Sequence, residues 1–414
     1  MAAIVVKYGN GFLDGKMKYH LIGAGGVGMS ALATLVLKLG HVVTGSDRTL
    51  GTDNLKRLER LGARIFPDDG SGVAPDVDAV IVSTAIEDSN RDLVRARELG
   101  LKVVHRAAAL QHFLSGRRLV AVAGTCGKSS VTALLGHVLS SCGLDPLCVN
   151  GANVVGWEGA VRFGAGEYAV AEVDESDKSL SAFSPYAAIV TNSSADHFSK
   201  DEMDEVFDAF IAKATGPVLD ARGETYLPED YMAQNESLAV RMAVMLGCDE
   251  SASRASLASF KGVERRLQPC GAAVYDDYAH NPEKLRSMIA VLKKRHRGAI
   301  CVIWRPHGYG PLKKMLDGLA AMFSEALSTD DALLVLPVYD AGGTADRTIG
   351  SEALVGRVSG PEAVKADSFD DVAAWCGENA RRFAAVAVAG ARDPGLPALA
   401  RRIAADRLGE GAAR

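Results

Sequence analysis

Only 6% of the 414 residues are aromatic, and the seven cysteines are scattered, with no CxxC pair and no even-numbered framework. That scarcity excludes a disulfide-stapled scaffold and fits a reducing compartment, so a cytoplasmic chain is expected. No apolar run approaches the length of a membrane span, and the N-terminus lacks the apolar core of a signal peptide. Positive charge is not in excess either: the net charge is −5, which argues against broad binding to nucleic acid or to an anionic membrane. An anionic small molecule remains open, because a nest of backbone amides can hold phosphate on an acidic protein.

What is present is the composition of a globular chain, 48% hydrophobic and 23% charged, with 43 glycines. Its length exceeds one ordinary core and predicts two to three domains. From Tyr19 onward, short apolar strands alternate with helical patterns, the signature of parallel α/β sheets. The first block has strands at Tyr19–Ile22, His41–Thr44, Ala79–Ser83 and Leu101–Val104, with helices after Gly28, near Asn54–Leu61 and at Arg91–Leu99. Ser115-Gly116-Arg117-Arg118 reads as a linker. The second block opens with the strand Leu119–Ala123 and the helix Ser130–Ser141, then strands at Tyr168–Val173 and Ala187–Thr191 and a helix at Glu202–Lys213. The third contains Ala272–Asp277, Ala299–Trp304, Ala332–Val338 and Ala385–Ala389, each followed by a helix. The expected division is a leader over 1–16 and domains over 17–116, 117–261 and 262–414.

Two glycine loops carry the chemistry. Gly23-Ala24-Gly25-Gly26-Val27-Gly28 matches GxGxxG, follows a strand, opens a helix, and has Asp47 about 20 residues on. Alone, it reads as a dinucleotide fingerprint, with a pyrophosphate at the helix N-terminus and an acid on the ribose. The plain alternative is a glycine-rich turn with no ligand, and the identity of the nucleotide stays open. The second loop, Gly124-Thr125-Cys126-Gly127-Lys128-Ser129, follows the strand Leu119–Ala123. Its core is Gly-x-x-Gly-Lys-Ser, although Val122 stands where the fuller phosphate-loop pattern has its first glycine. Backbone amides there can cradle phosphates, Lys128 supplies a point charge, and the Ser129 hydroxyl can ligate Mg²⁺. An ordinary Gly-Lys-Ser turn is the alternative. Cys126 is a small loop residue, not a nucleophile, since no base motif accompanies it.

Two acidic stretches follow later strands: Glu172-Val173-Asp174-Glu175-Ser176-Asp177, and Asn192-Ser193-Ser194-Ala195-Asp196-His197. Both fall at strand C-terminal ends, where open α/β sheets place ligands, and hard oxygen donors there suit Mg²⁺ beside a triphosphate. A capping or core role for His197 is the alternative.

With these motifs in order, the chain resembles the Mur ligase family, and within it the alanine-adding branch. Further matches are Gly25-Gly26-Val27-Gly28-Met29-Ser30, Thr44-Gly45-Ser46-Asp47, Arg265-Arg266, Asp276-Asp277-Tyr278-Ala279-His280-Asn281-Pro282 and Pro306-His307. The resemblance implies an α/β chain of three domains: a Rossmann-like one for a UDP-linked substrate, a central P-loop ATPase-like one with a mostly parallel sheet, and a Rossmann-like C-terminal one that closes over the site. It implies that Gly25, Gly26, Val27, Gly28, Ser46 and Asp47 bind the UDP-linked substrate. Gly124, Thr125, Cys126, Gly127, Lys128, Ser129, Ser130, Asn235 and His280 would bind ATP. Ser129, Glu172 and His197 would hold metal, two Mg²⁺ in all, and Lys128, Glu172, His197, Arg266 and Asp277 would carry catalysis. The implied reaction is ATP-dependent amide formation from a carboxylate donor and an amine or amino acid through an acyl phosphate. The expected assembly is a monomer or homodimer, without nucleic-acid or membrane partners.

Three departures mark the chain: the first leaves ATP binding in place, the second bears on adenine or ribose contacts, and the third predicts an altered acceptor amine or an altered donor acid. Cys126 replaces a histidine usual in the alanine-adding branch. The central domain is short between Lys213 and Asn235, where that branch carries several tens more residues, and Leu238 replaces the second asparagine of an Asn-x-x-Asn pair begun by Asn235. Gly308 and Gly310 stand where the branch has arginines on the amino-acid side, and Tyr339-Asp340-Ala341-Gly342-Gly343 lacks one acidic residue that the branch carries there. Losing two cations weakens recognition of an amino-acid carboxylate. Two other readings follow from the same residues: a Mur-like nucleotide-binding scaffold without catalysis, and, from the first loop alone, an NAD-dependent oxidoreductase.

Overall fold

Strands such as Leu119–Ala123 are apolar without interruption, a pattern that is stable only where both faces of a sheet are covered. In the computed structural model, which describes residues 15–175, 179–193, 200–340, 347–379 and 381–412, three such sheets form. The described chain divides into two compact units, one of Met1–Glu224 with Gln234–Val263, the other of Thr225–Ala233 with Glu264–Arg414.

The N-terminal unit holds two sheets. The first, β1 (Lys18–Ile22), β2 (Val42–Asp47), β3 (Arg64–Pro67), β4 (Ala79–Val82) and β5 (Val103–His105), is ordered β3-β2-β1-β4-β5 and parallel throughout. The second comprises β6 (Arg118–Ala123), β7 (Leu147–Val149), β8 (Val161–Arg162), β9 (Tyr168–Glu172), β10 (Ala187–Val190) and β11 (Val218–Asp220), ordered β11-β10-β6-β9-β7-β8. Only the short β7–β8 pair among its ladders is antiparallel. The helices are α1 (Val27–Lys38), α2 (Asp53–Arg60), α3 (Arg91–Glu98), α4 (Arg106–Leu114), α5 (Lys128–Ser141), α6 (Lys200–Ile211), α7 (Tyr231–Met245, of which this unit holds the part from Gln234) and α8 (Glu250–Ser256). One apolar cluster runs from Tyr19, Leu32 and Leu110 through Ala121 and Ala171 to Phe183 and Phe207, so the two sheets share a core. Close packing of that kind transmits strain and leaves little freedom for the loops at the strand ends.

The C-terminal unit holds β12 (Gln268–Gly271), β13 (Val274–Asp277), β14 (Ile300–Trp304), β15 (Ala332–Val335), β16 (Glu362–Lys365) and β17 (Ala385–Ala389), ordered β12-β13-β17-β14-β15-β16. Its helices are α9 (Pro282–Arg295), α10 (Tyr309–Ala326), α11 (Glu352–Val355), α12 (Phe369–Glu378) and α13 (Leu396–Ala412). Trp304 and Phe323 fill one face, and Cys301, Leu399 and Ile403 the other.

The expected α/β class and its central strands are observed, with ends shifted by up to three residues; the strand expected at Leu101–Val104, for example, is β5 at Val103–His105. The short edge strands β3, β12 and β16 were not expected, and their half-exposed sequences explain why: pairing with one neighbour stabilises them, not an apolar run of their own. The leader up to residue 14, Ser176, Asp177, Asp196, His197 and residues 341–343 lie outside the described residues.

Candidate functional site

The second glycine loop joins β6 to α5, and two of its glycines are required by conformation. Gly124 has φ +127° and Gly127, at the N-cap, φ +85°. A Cβ at Gly124 would lie 2.1 Å from Thr191 Oγ1, and one at Gly127 2.5 Å from Asn235 Oδ1. The turn is held from β10. Thr191 Oγ1 and Asn192 Nδ2 donate to the Cys126 carbonyl at 2.6 and 3.0 Å, and the Cys126 amide donates to Asn192 Oδ1 at 2.9 Å. Cys126 therefore holds the turn through its backbone amide and carbonyl. Sequence reasoning placed Asn192 in an acidic stretch and missed this clamp.

Lys128 folds over the turn. Its Nζ donates to the Gly124 carbonyl at 2.6 Å and meets Glu175 Oε2 at 2.7 Å, with both side chains largely buried. Burial alone lowers the lysine pKa; Glu175, then Glu172 and Asp174, outweigh it, and the net direction is upward. Burial likewise raises the Glu175 carboxyl despite Lys128. Three carboxylates around one amine keep Lys128 charged.

Glu172 ends β9 beside β6, paired in register with Val122. Its Oε2 accepts the Gly151 amide at 2.7 Å, which aims the carboxylate. Ser129, in the first turn of α5, is buried. Among the described residues no three His, Cys, Asp or Glu side chains gather to hold a metal. Ser129 and Glu172 nonetheless fit Mg²⁺, which takes one or two hard protein oxygens and fills its remaining positions with waters and phosphates. Asn235 lies against Gly127, whereas Leu238, one turn on, is buried in the core with Val131 and Leu135. The second asparagine position therefore faces the interior, where leucine packs without an unmet amide.

The first glycine loop joins β1 to α1. The Gly25 amide donates to Asp47 Oδ2 at 2.8 Å, Thr49 N donates to Oδ1 at 2.9 Å, and Asn54 Nδ2 donates to the Gly25 carbonyl at 2.9 Å. Asp47 thus shapes the loop it was expected to serve. Gly26 is the exposed N-cap of α1, and no side chain caps that helix, so its first amides face outward. Gly28 packs against Arg106. Ser46 is fully buried: its hydroxyl approaches His20 Nε2 at 3.3 Å and its carbonyl accepts the Gly23 and Ala24 amides at 2.8 and 2.9 Å. It supports the loop from behind.

In the C-terminal unit both Asp277 oxygens are used by backbone: Oδ2 accepts Leu267 N at 2.6 Å and Oδ1 accepts Ala279 N at 2.7 Å. Burial pushes its carboxyl up, while Arg266 and those two amides pull it down. The geometry makes Asp277 a clamp on the turn that carries Arg266, whose guanidinium lies 5.1 Å from the Tyr278 ring centroid. His280 donates Nδ1–H to the Tyr278 carbonyl at 2.9 Å and packs edge-on against His307. Burial, with Lys284 nearby, lowers its pKa to about 3, so it is neutral and presents Nε2 as an acceptor. A Cβ at Gly310 would meet nothing within 4 Å, so packing does not force glycine there.

The model for the Mur ligase family, catalytic domain, matches residues 18–118, and that for the Mur ligase, glutamate ligase domain, matches 263–392. The UDP-N-acetylmuramate–L-alanine ligase of Sinorhizobium fredii is 30% identical, over 83% of this chain and 90% of its own length. That of Methylobacterium nodulans is also 30% identical, over 86% and 90%. Among solved structures, a UDP-N-acetylmuramate–alanine ligase from Thermotoga maritima superposes with a TM-score of 0.78 at 24% identity, covering 95% of this chain and 100% of that one. A murein peptide ligase from Psychrobacter arcticus does so at 0.65 and 19% identity, covering 94% and 98%. Two matched models and relatives of this identity over most of the chain agree with the two glycine loops and the Lys128 cluster: the chain belongs to the Mur ligase family, ATP-dependent, ADP-forming ligases that join an acid to an amino acid.

Proposed function

We propose that this ligase holds a UDP-linked acid of the UDP-N-acetylmuramate type at the first glycine loop and ATP at the second, and joins the acid to an amine other than free L-alanine. The observation that supports it most is the pair of glycine loops on two sheets with one shared core, the second equipped with Lys128, Ser129 and Glu172. A donor carboxylate oxygen attacks the γ-phosphorus, the bond to the bridging oxygen breaks, and ADP leaves. The neutral amine then attacks the acyl carbon, phosphate departs with the C–O electron pair, and the amine proton passes to solvent. Lys128 balances charge on the transferring phosphoryl group, and the loop amides orient it. Mg²⁺, held through Ser129 and Glu172, would neutralise phosphate charge; a second ion would call on His197. Gly25 to Gly28 would receive the donor diphosphate. Arg266, positioned by Asp277, and neutral His280 are assigned to the nucleotide.

Altered acceptor choice follows from Gly308 and Gly310, which remove cations at positions where the fold leaves room for a side chain at 310. All seven cysteines are free thiols, in keeping with work in the cytoplasm. The retained Lys128 cluster disfavours the scaffold reading, and membership in a ligase family leaves the NAD reading without support. The test is ADP release with UDP-N-acetylmuramate across a panel of amines, with Lys128→Ala as the control. Efficient formation of UDP-N-acetylmuramoyl-L-alanine would overturn the altered specificity. Release independent of any UDP-linked acid would overturn the donor.

A further inference from the structure

The first glycine loop contains no basic residue from Gly23 to Ser30, whereas the second brings its own lysine. Backbone amides at a helix N-terminus favour an anion, but a diphosphate carries more charge than half a helix dipole can offset. A cation does reach this loop, from 78 residues further along the chain. Arg106 is the first residue of α4, directly after β5, and β5 is parallel to β4 and β4 to β1. All three strands therefore deliver their carboxyl ends to the same edge of the sheet. The Arg106 guanidinium lies so close to Gly28 that a Cβ there would sit 3.0 Å from Nη1 and 3.6 Å from Cζ. Any larger residue at 28 would have to displace it, which gives this glycine a second reason to be glycine.

On its other side, Arg106 Nη2 stands 3.8 Å from Asp174 Oδ2, with the two side chains 20% and 41% exposed. At that distance the pair is a loose ion pair, and a half-exposed one of this kind contributes little. Asp174 follows β9 and is also among the carboxylates that hold Lys128 charged. The two loops thus share one acid: Arg106 at the first, Lys128 at the second, Asp174 between them. A guanidinium fork makes bidentate, charge-assisted bonds to phosphate that are shorter and stronger than a 3.8 Å contact.

We propose that Arg106 is the cation of the first glycine loop, a binding residue that takes the phosphate end of the donor in exchange for Asp174. This rests on the reading that a UDP-linked donor occupies that loop. Arg106→Ala then weakens binding of UDP and of UDP-N-acetylmuramate about 10- to 100-fold, the range for losing hydrogen bonds to a charged group. ATP affinity and the melting temperature stay close to wild type. Arg106→Lys recovers only part of the loss, because it keeps the charge without the fork. Asp174→Asn removes the competing carboxylate and tightens UDP binding severalfold, and this gain vanishes when Arg106 is alanine.

Calorimetric titration of the full-length wild type and these variants with UDP, UDP-N-acetylmuramate and ATP decides the matter. UDP bound equally by wild type and Arg106→Ala overturns the proposal, as does equal weakening of UDP and ATP, which would mark a structural role. An Asp174→Asn variant that binds UDP no more tightly than wild type overturns the exchange even if Arg106→Ala fails to fold. Wild type that binds neither UDP ligand while binding ATP overturns the donor reading, and the proposal falls with it.

Discussion

The two glycine loops of the N-terminal unit are built alike: each follows a strand inside a parallel sheet, each turns on glycine, and each opens a helix with no side-chain cap. They differ in where their charges stand. At the first loop an acid, Asp47, is bonded to the turn itself and the nearest cation, Arg106, comes from another strand. At the second, the cation belongs to the turn and the acids, Glu172, Asp174 and Glu175, come from another strand. One design is thus mirrored in charge. On the proposed reading, an amide cradle with its cation at the side would serve a ligand that only has to be held, whereas a lysine inside the cradle would serve a phosphoryl group that has to move.

That contrast predicts its own largest break. Lys128→Ala should lower amine-dependent ADP release by about a thousandfold or more, the scale for a charge lost from phosphoryl-transfer machinery, while UDP binding at the first loop is kept. It also leaves Glu175 buried without its partner, which costs about 3 kcal/mol or more. Lys128→Ala combined with Glu175→Gln should recover most of that stability in a denaturant melt and none of the activity. Recovery of both would show that the pair is structural only.

Next in size are the glycines. Gly124→Ala forces a left-handed φ on alanine and drives its Cβ into Thr191, so ATP binding should fall by more than about 30-fold, equivalent to roughly 2 kcal/mol of strain. Gly25→Ala sets its Cβ 2.9 Å from Asp47 Oδ2 and should weaken UDP about tenfold, the worth of one charge-assisted bond, with ATP affinity unchanged. If either substitution weakened both ligands alike, the loops would not be separate sites.

Much of this was legible in the chain. Both loops, Lys128, Ser129 and Glu172 announced themselves because each lies within a few residues of a strand end. Arg106 and Thr191 did not, and Asn192 was legible only as the start of an acidic stretch, because all three meet the loops only across parallel strands. Ser46 and Asp277 were legible as positions, whereas their burial and the backbone bonds by which they brace their turns were not. Leu238 looked like a lost contact and is a core residue.

Acid separates the loops from the C-terminal unit. Lys128 is held above the ordinary lysine value, so the second loop keeps its cation through the neutral range. His280 is the opposite case, lowered to about 3 against an unfolded value of 6.5. Below pH 6.5 the unfolded chain takes up that proton first, so the stability His280 contributes is present above 6.5 and is lost as pH falls toward 3, by up to about 1.4 kcal/mol per pH unit. His280→Asn should remove this contribution between pH 6 and 5, as read in thermal melts of the full-length protein. Asp276, raised by burial to about 6 even with Arg265 pulling it down, acts oppositely: its folded form keeps a proton that the unfolded form gives up between pH 4 and 6. The two slopes partly cancel in wild type, and the Asn variant should uncover the second.

The smallest expected effect falls on the caps. Gly26 has φ −64°, and a Cβ there would make only an ordinary 3.5 Å contact with the Gly23 carbonyl. Serine is therefore admissible, and its hydroxyl can accept an amide of the first turn of α1, adding a few tenths of a kcal/mol. Those same amides are the ones that the proposed donor diphosphate would need. Gly26→Ser should raise the melting temperature slightly and weaken UDP severalfold, leaving ATP affinity untouched. The corresponding change at Gly127 has no such choice: at φ +85°, with Asn235 Oδ1 2.5 Å from the Cβ position, serine is strained before it can cap anything. A Gly26→Ser variant that gained stability and kept full UDP affinity would show that the α1 amides do not face the ligand. The two loops would then share a shape without sharing a use.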